Sequence, residues 1–148
     1  MYQRQIAVRG IIYKDGKIYA QRLIDKNGNE SDFWSTPGGR IEDNESLLGC
    51  LEREMIEETG VKPQIGNLII VQQFQDGDHE KMEFFFHIKN AEDYEEIDLA
   101  NISHGTTEVS KHEFIDPKTE SLKPDILRNI DIEQCIDNAE PTVVISYL

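Results

Sequence analysis

The sequence predicts an α/β fold, with helices on the faces of a mixed β-sheet, and three observations carry that expectation. Runs rich in Ile, Val, Tyr and Phe alternate with two helical patterns, an order that neither an all-helical nor an all-strand domain produces. Between Glu45 and Thr59, the residues Leu47, Leu48, Leu51 and Met55 recur on one helical face, as a helix packed on a sheet requires. Phe84, Phe85 and Phe86 stand in succession, the mark of a strand covered on both faces.

The elements follow in order. Gln5 to Tyr13 and Ile18 to Arg22 read as two strands of a hairpin around Asp15-Gly16, because both central residues of a type I′ turn need positive φ. A polar loop from Asp25 to Glu30 leads through Phe33-Trp34 into Thr36-Pro37-Gly38-Gly39. Asn44 is placed to cap the first helix, expected over Glu45 to Thr59, and Gly60 to end it in the left-handed conformation. Asn67 to Phe74 and Met82 to Ile88 are further strands joined by Asp76-Gly77-Asp78. Asn90 to Ser110 reads as loop, and Glu113 to Ile115 as a short strand. Pro124 suits the first turn of a second helix, Asp125 to Asn138, with Ile126, Leu127, Ile130 and Ile136 packing inward. Thr142 to Leu148 closes the order as a strand, and the absence of repeats or linkers makes 1–148 a single expected domain.

Composition narrows the function classes. With 148 residues, 38% of them hydrophobic, the chain can build a core without disulfides or a structural metal. Fifteen Lys and Arg against 29 Asp and Glu leave a net charge of −14, which disfavours a grip on a nucleic-acid duplex or an anionic membrane. Cys50 and Cys135 form no metal-binding pair, and His79, His87, His104 and His112 lack ligand spacing. No apolar run approaches the ~20 residues of a membrane span and no secretory signal opens the chain, so the expected location is cytoplasmic.

The end of the first helix is the most informative segment. Glu54, Glu57 and Glu58 lie three and four residues apart and share one side of the helix. They repel one another, and they crowd a helix C-terminus whose dipole prefers cations at ~0.3–1 kcal/mol each. Glu58 also falls at the border of the apolar stripe. A bound cation reverses these terms, and oxygen-only ligands indicate Mg²⁺, with Mn²⁺ the next choice. The competing reading is a solvated acidic face. Arg53, four residues before Glu57, is a candidate for orienting that carboxylate.

Gly39, five residues, Glu45, seven residues, Arg53-Glu54-Met55, one residue, Glu57-Glu58, one residue and Gly60-Val61 form a pattern over 23 residues. It matches every specified position of the Nudix box, so the chain resembles the Nudix hydrolases. The resemblance implies an α/β/α sandwich that hydrolyses a nucleoside diphosphate linked to another group, by water attack on phosphorus. It implies divalent metal at Glu54, Glu57 and Glu58, with the Gly38 carbonyl, and a role for Glu45 in orienting Arg53. The general base is Glu54 or a later carboxylate, for which Glu108 is the candidate as base or further metal ligand. Arg22 resembles a phosphate-contacting position, Arg9 lies on the facing strand, and the bare backbone at Gly39 lets substrate approach. Trp34 and Phe74 are candidates for stacking on a base, against the plainer reading as core. The resemblance implies a small-nucleotide substrate, either a nucleoside triphosphate, with an ordinary or an oxidised base, or an ADP-ribose-like nucleotide sugar. Homodimers are common among such proteins. A nucleotide-sensing module without catalysis is the alternative, but it is expected to lose box carboxylates. An isoprenoid diphosphate isomerase needs a loop cysteine, and Cys50 lies within the box helix.

Overall fold

A computed structural model describes residues 3–98, 109–137 and 141–148. In chain order the strands and the first helix are β1 (Gln3–Ile11), β2 (Tyr13–Lys14), β3 (Lys17–Leu23), β4 (Trp34–Ser35), β5 (Gly38–Arg40), α1 (Leu47–Thr59), β6 (Ile65–Asp76) and β7 (His79–Ile88). A 3₁₀ turn, Ala91–Tyr94, is followed by β8 (Val109–Ile115), β9 (Leu122–Lys123), a second 3₁₀ turn at Asp125–Arg128, α2 (Ile132–Ile136) and β10 (Val143–Ser146).

Two sheets result. The larger has the order β10-β6-β7-β1-β5 and is mixed: β1 runs parallel to β7 and antiparallel to β5, while β10 runs parallel to β6. The smaller is built on β3, which pairs β8 along one edge and β2 then β4 along the other, with β9 beside β4. The expected first strand is therefore divided at Ile12. Its first part joins one sheet and Tyr13–Lys14 turns into the other through the Asp15-Gly16 hairpin, whose φ angles are 52° and 81°.

Strand alternation gives the larger sheet two apolar faces. Val8, Ile12, Ile88 and the α1 residues Cys50, Leu51 and Met55 form one core cluster. Ile11, Ile70 and Phe85 form another with Leu127, Ile132 and Cys135 from the late helical segment. Phe85 is sealed in that second cluster while Phe84 and Phe86 pack partly against the α1 cluster, so the phenylalanine run is covered on both faces, as expected.

Three expectations about the helices need correction. The cap of α1 is Ser46, whose hydroxyl accepts from the Gly49 amide, and Asn44 instead adopts φ 63° in the preceding turn. Leu48 is half exposed at 50% and leaves the buried stripe to Leu51 and Met55. The second helix is broken: Asp125–Arg128 is a 3₁₀ turn, and Asp131 starts a new, short helix by accepting from the Gln134 amide. Asp and Asn favour caps and turns over helix interiors, so Asn129 and Asp131 interrupt the pattern. Among the described residues no helix is long and apolar enough to cross a membrane.

Candidate active site

Gly60 takes φ 74° and ends α1 by donating to the Ile56 carbonyl, which fixes the acidic turns at the edge of the sheet beside β5. There Arg53 organises the carboxylates. Its Nε and Nη2 donate to the two oxygens of Glu45 at 2.7 and 3.0 Å, a bidentate pair. Its Nη1 donates to Glu54 at 2.9 Å and to Glu57 at 3.3 Å, and Nη2 also reaches the Arg40 carbonyl at 3.2 Å. The hydrogen bonds from Arg53 and the Glu42 amide hold the Glu45 carboxyl down at about 2, while Glu45, opposed by some loss of solvent, raises the guanidinium above its ordinary value. Glu45 is thereby a fixed anion that aims Arg53.

The two glycines before Arg40 bring backbone against these carboxylates. A Cβ at Gly39 would fall onto the Glu54 carboxyl group, so the missing side chain leaves Glu54 in contact with the strand. Gly38 adopts φ 145°, and its amide donates to Glu58 Oε2 at 3.0 Å. Glu58 is only 8% exposed, so the expectation that it borders the core is met. Among the described residues no three Asp, Glu, His or Cys side chains converge as an ion-binding group. Glu54 and Glu57 accept from Arg53 Nη1, and Glu58 accepts from the Gly38 amide.

On the opposite face of the sheet lies a cavity of about 710 Å³. Alternation along β5 points Gly39 toward α1 and Arg40 into this cavity. Of the cations lining it, Arg9 pairs with Glu83 at 2.7 Å, Lys81 with Asp76 at 2.6 Å and Lys123 with Asp125 at 2.9 Å. The Arg40 guanidinium makes no ion pair or hydrogen bond among the described residues. Phe33, Phe74 and Phe85 supply apolar wall.

The residues expected at the site divide accordingly. Glu45, Arg53, Glu54, Glu57, Glu58, Gly38 and Gly39 are brought together. Arg9 lines the cavity, but its Nε and Nη1 are already given to Glu83 and the Thr36 carbonyl. Arg22 does not line it: Nη1 donates to the Ser31 carbonyl at 2.9 Å, and the guanidinium lies 4.9 Å from the centre of the Trp34 ring. Trp34 is core, whereas Phe74 is cavity wall. Glu108 lies outside the described residues. Burial pushes the Cys50 thiol up to about 12, which removes it from nucleophilic chemistry. Arg40, Phe33, Gln72 and Glu83 also line the cavity, although none is a site candidate from sequence. Arg40 could have been found from its place directly after Gly38-Gly39; the others carry no local signal.

A helix on one face of a mixed sheet, a shorter one on the other and a glycine strand backed by helix carboxylates define a domain of the Nudix type. A NUDIX domain model matches residues 3–131, and the chain belongs to the Nudix hydrolase family. It is 44% identical over 55 residues to an 8-oxo-dGTP diphosphatase of Buchnera aphidicola subsp. Schizaphis graminum, over 37% of this chain and 42% of that one. It is 27% identical over 74 residues to the phosphatase NudJ of Escherichia coli, over 50% of this chain and 46% of that one. The chain thus matches less than half the length of these curated relatives. Among solved structures, the E. coli ORF135 protein aligns with a TM-score of 0.70 at 20% identity over 95% of both chains. A UDP-X diphosphatase aligns with a TM-score of 0.67 at 22% identity, over 97% of this chain and 68% of that one. At these identities the likeness to solved structures is one of fold.

Proposed function

We propose that the protein is a metal-dependent pyrophosphohydrolase that cleaves a nucleoside diphosphate linked to a further group, by attack of water on phosphorus. The observation that carries this reading is the Glu54 carboxylate held against bare backbone at Gly39, with Glu57 tied to the same Arg53 nitrogen and Glu58 on the neighbouring Gly38 amide. The donor set is all oxygen and suits a hard divalent ion, Mg²⁺ or Mn²⁺, at Glu54, Glu57, Glu58 and the Gly38 carbonyl. A divalent ion bound there supplies neutralising charge to the diphosphate oxygens and acidifies the attacking water.

The chain's own residues do the rest. Glu45 fixes Arg53, and Arg53 positions Glu54 and Glu57. Glu54, which touches the strand next to the cavity, is the choice for the base that takes the water proton; Glu108 is the other candidate. Arg40 projects from that strand into the cavity as a cation with no ion pair among the described residues, suited to hold phosphate where the chain as a whole is strongly anionic. The nucleoside occupies the cavity, and the substrate is a nucleoside triphosphate, in line with the 8-oxo-dGTP diphosphatase relative, or a nucleotide sugar.

The test is a turnover screen of nucleoside triphosphates, including one with an oxidised base, and of ADP-ribose and UDP-sugars, in Mg²⁺ and again with chelator, with products separated. Metal-dependent release of a nucleoside monophosphate with either pyrophosphate or a sugar phosphate is expected. Turnover of none of them, or turnover indifferent to chelator, would contradict the reading.

A further inference from the structure

We propose that the cavity selects nucleobases bearing an exocyclic amino group, and that Gln72, oriented by Glu83 and Arg9, reads that group. The inference deepens the hydrolase reading and rests on it for the presence of a nucleotide.

Hydrogen-bond polarity fixes how these side chains are turned. Arg9 has donors only, and its Nε donates to Glu83 Oε2 at 2.7 Å. Glu83, engaged by a guanidinium, accepts and does not donate. It takes Gln72 Nε2 on Oε1 at 2.7 Å, so the amide nitrogen must face the carboxylate and the amide oxygen must face away. That oxygen has no partner among the described residues, and it is not among the polar atoms sealed from solvent. Register supports the pairing: Gln72 and Glu83 stand directly opposite on β6 and β7, and Ala7, two residues from Arg9, stands opposite Glu83 on β1.

Gln72 is 6% and Glu83 8% exposed, and both line a cavity whose walls include Phe33 and Phe74. Polar side chains buried beside aromatic wall are costly unless they find partners. The rings offer faces on which a flat base can lie. An edge placed against this end meets an acceptor at Gln72 Oε1, with spare lone pairs on Glu83. The amino group of cytosine or adenine donates to it; the carbonyl oxygen of uracil or hypoxanthine at the same ring carbon meets it acceptor to acceptor. A site built to bond a substrate N–H rejects the analogue that lacks it, because the buried groups are left unpaired.

The test compares amino/oxo pairs, CTP with UTP and ATP with ITP, by kcat/KM in Mg²⁺, and binding of CMP and UMP by calorimetry without metal. The amino member is expected to lead by about tenfold or more in each. Gln72→Met should bring the ratio to within about twofold. Glu83→Gln gives the sharper outcome. An amide at 83 must turn its oxygen to Arg9 and its nitrogen to Gln72, so Gln72 flips, presents N–H to the base, and the preference reverses toward the oxo member. Wild-type ratios within about twofold overturn the inference whatever the variants do, and so does a Glu83→Gln protein that keeps the wild-type order. Should no nucleotide be hydrolysed while CMP still outbinds UMP, the hydrolase reading falls and the base preference stands. Absence of both turnover and binding removes both.

Discussion

Two arginine-centred networks flank the larger sheet, and they differ in how the chain assembles them. On the α1 side, Arg53 gathers Glu45, Glu54 and Glu57, all within eight residues of it. On the cavity side, Arg9 meets Glu83 at a sequence distance of 74, and Glu83 meets Gln72 at 11. The first network is set by helical spacing and one short strand; the second exists only once β1, β6 and β7 are in register. The first presents carboxylates and, on the proposed function, serves the reacting phosphates, which every substrate shares. The second presents an acceptor in a partly aromatic cavity and, on the inference above, serves the base, in which substrates differ.

The comparison breaks most visibly at Glu57. On the proposed reading Glu57→Gln removes a metal ligand and loses only a partly exposed ion pair of small worth with Arg53, so turnover should drop by roughly 10²-fold or more on all substrates alike, with thermal stability nearly unchanged. A variant as active as the parent sinks the assignment of the acidic cluster. Gly39→Ala is the next largest. Its Cβ must displace the Glu54 carboxylate, so steady-state assays at increasing Mg²⁺ should show a loss on the order of 10- to 100-fold, again without change in base preference. A wild-type rate and metal requirement would mean that Glu54 does not act from the observed position.

Arg53→Lys separates charge from shape. Lysine keeps the positive charge but cannot hold Glu45 bidentately while reaching Glu54 and Glu57, and a fall in kcat of about tenfold is expected, larger than any rise in KM. An unaffected kcat would reduce Arg53 to an ordinary ion pair. The smallest effect concerns acid stability. Because Arg53 holds the Glu45 carboxyl at about 2 instead of 4.5, its stabilisation is complete above pH 4.5 and is lost as pH falls through about 2. Unfolding curves of Glu45→Gln and wild type should therefore differ most above pH 4.5 and converge toward pH 2. A constant difference across that range contradicts the clamp.

The same contrast explains what could be read before the fold was known. The box, its carboxylates and the order of strands are periodic or closely spaced, and the first helix lies within two residues of its expected start. Ser46 displaced Asn44 as cap because the turn at Glu42–Glu45 carries Asn44 into positive φ, which capping rules alone do not foresee. Gln5 to Tyr13 does not show that it will serve two sheets, since a strand's pattern is silent about its partners. Arg22 is the stronger phosphate candidate from sequence, with Arg9 only on the facing strand, yet pairing of β3 with β4 sets Arg22 over Trp34 while pairing of β1 with β5 sets Arg9 in the cavity. Gln72 and Glu83 were invisible for the same reason: a polar residue in a strand gives no sign of facing a ligand until its neighbours are known.

The central claim is that the carboxylates closing α1 hold a divalent ion for a diphosphate substrate. Calorimetric titration of Mg²⁺ into wild type and Glu57→Gln, each with a non-hydrolysable nucleotide present, tests it most directly. Saturable uptake by wild type that weakens at least about tenfold in the variant is the predicted result; no uptake by wild type, or equal affinity in both proteins, would contradict it.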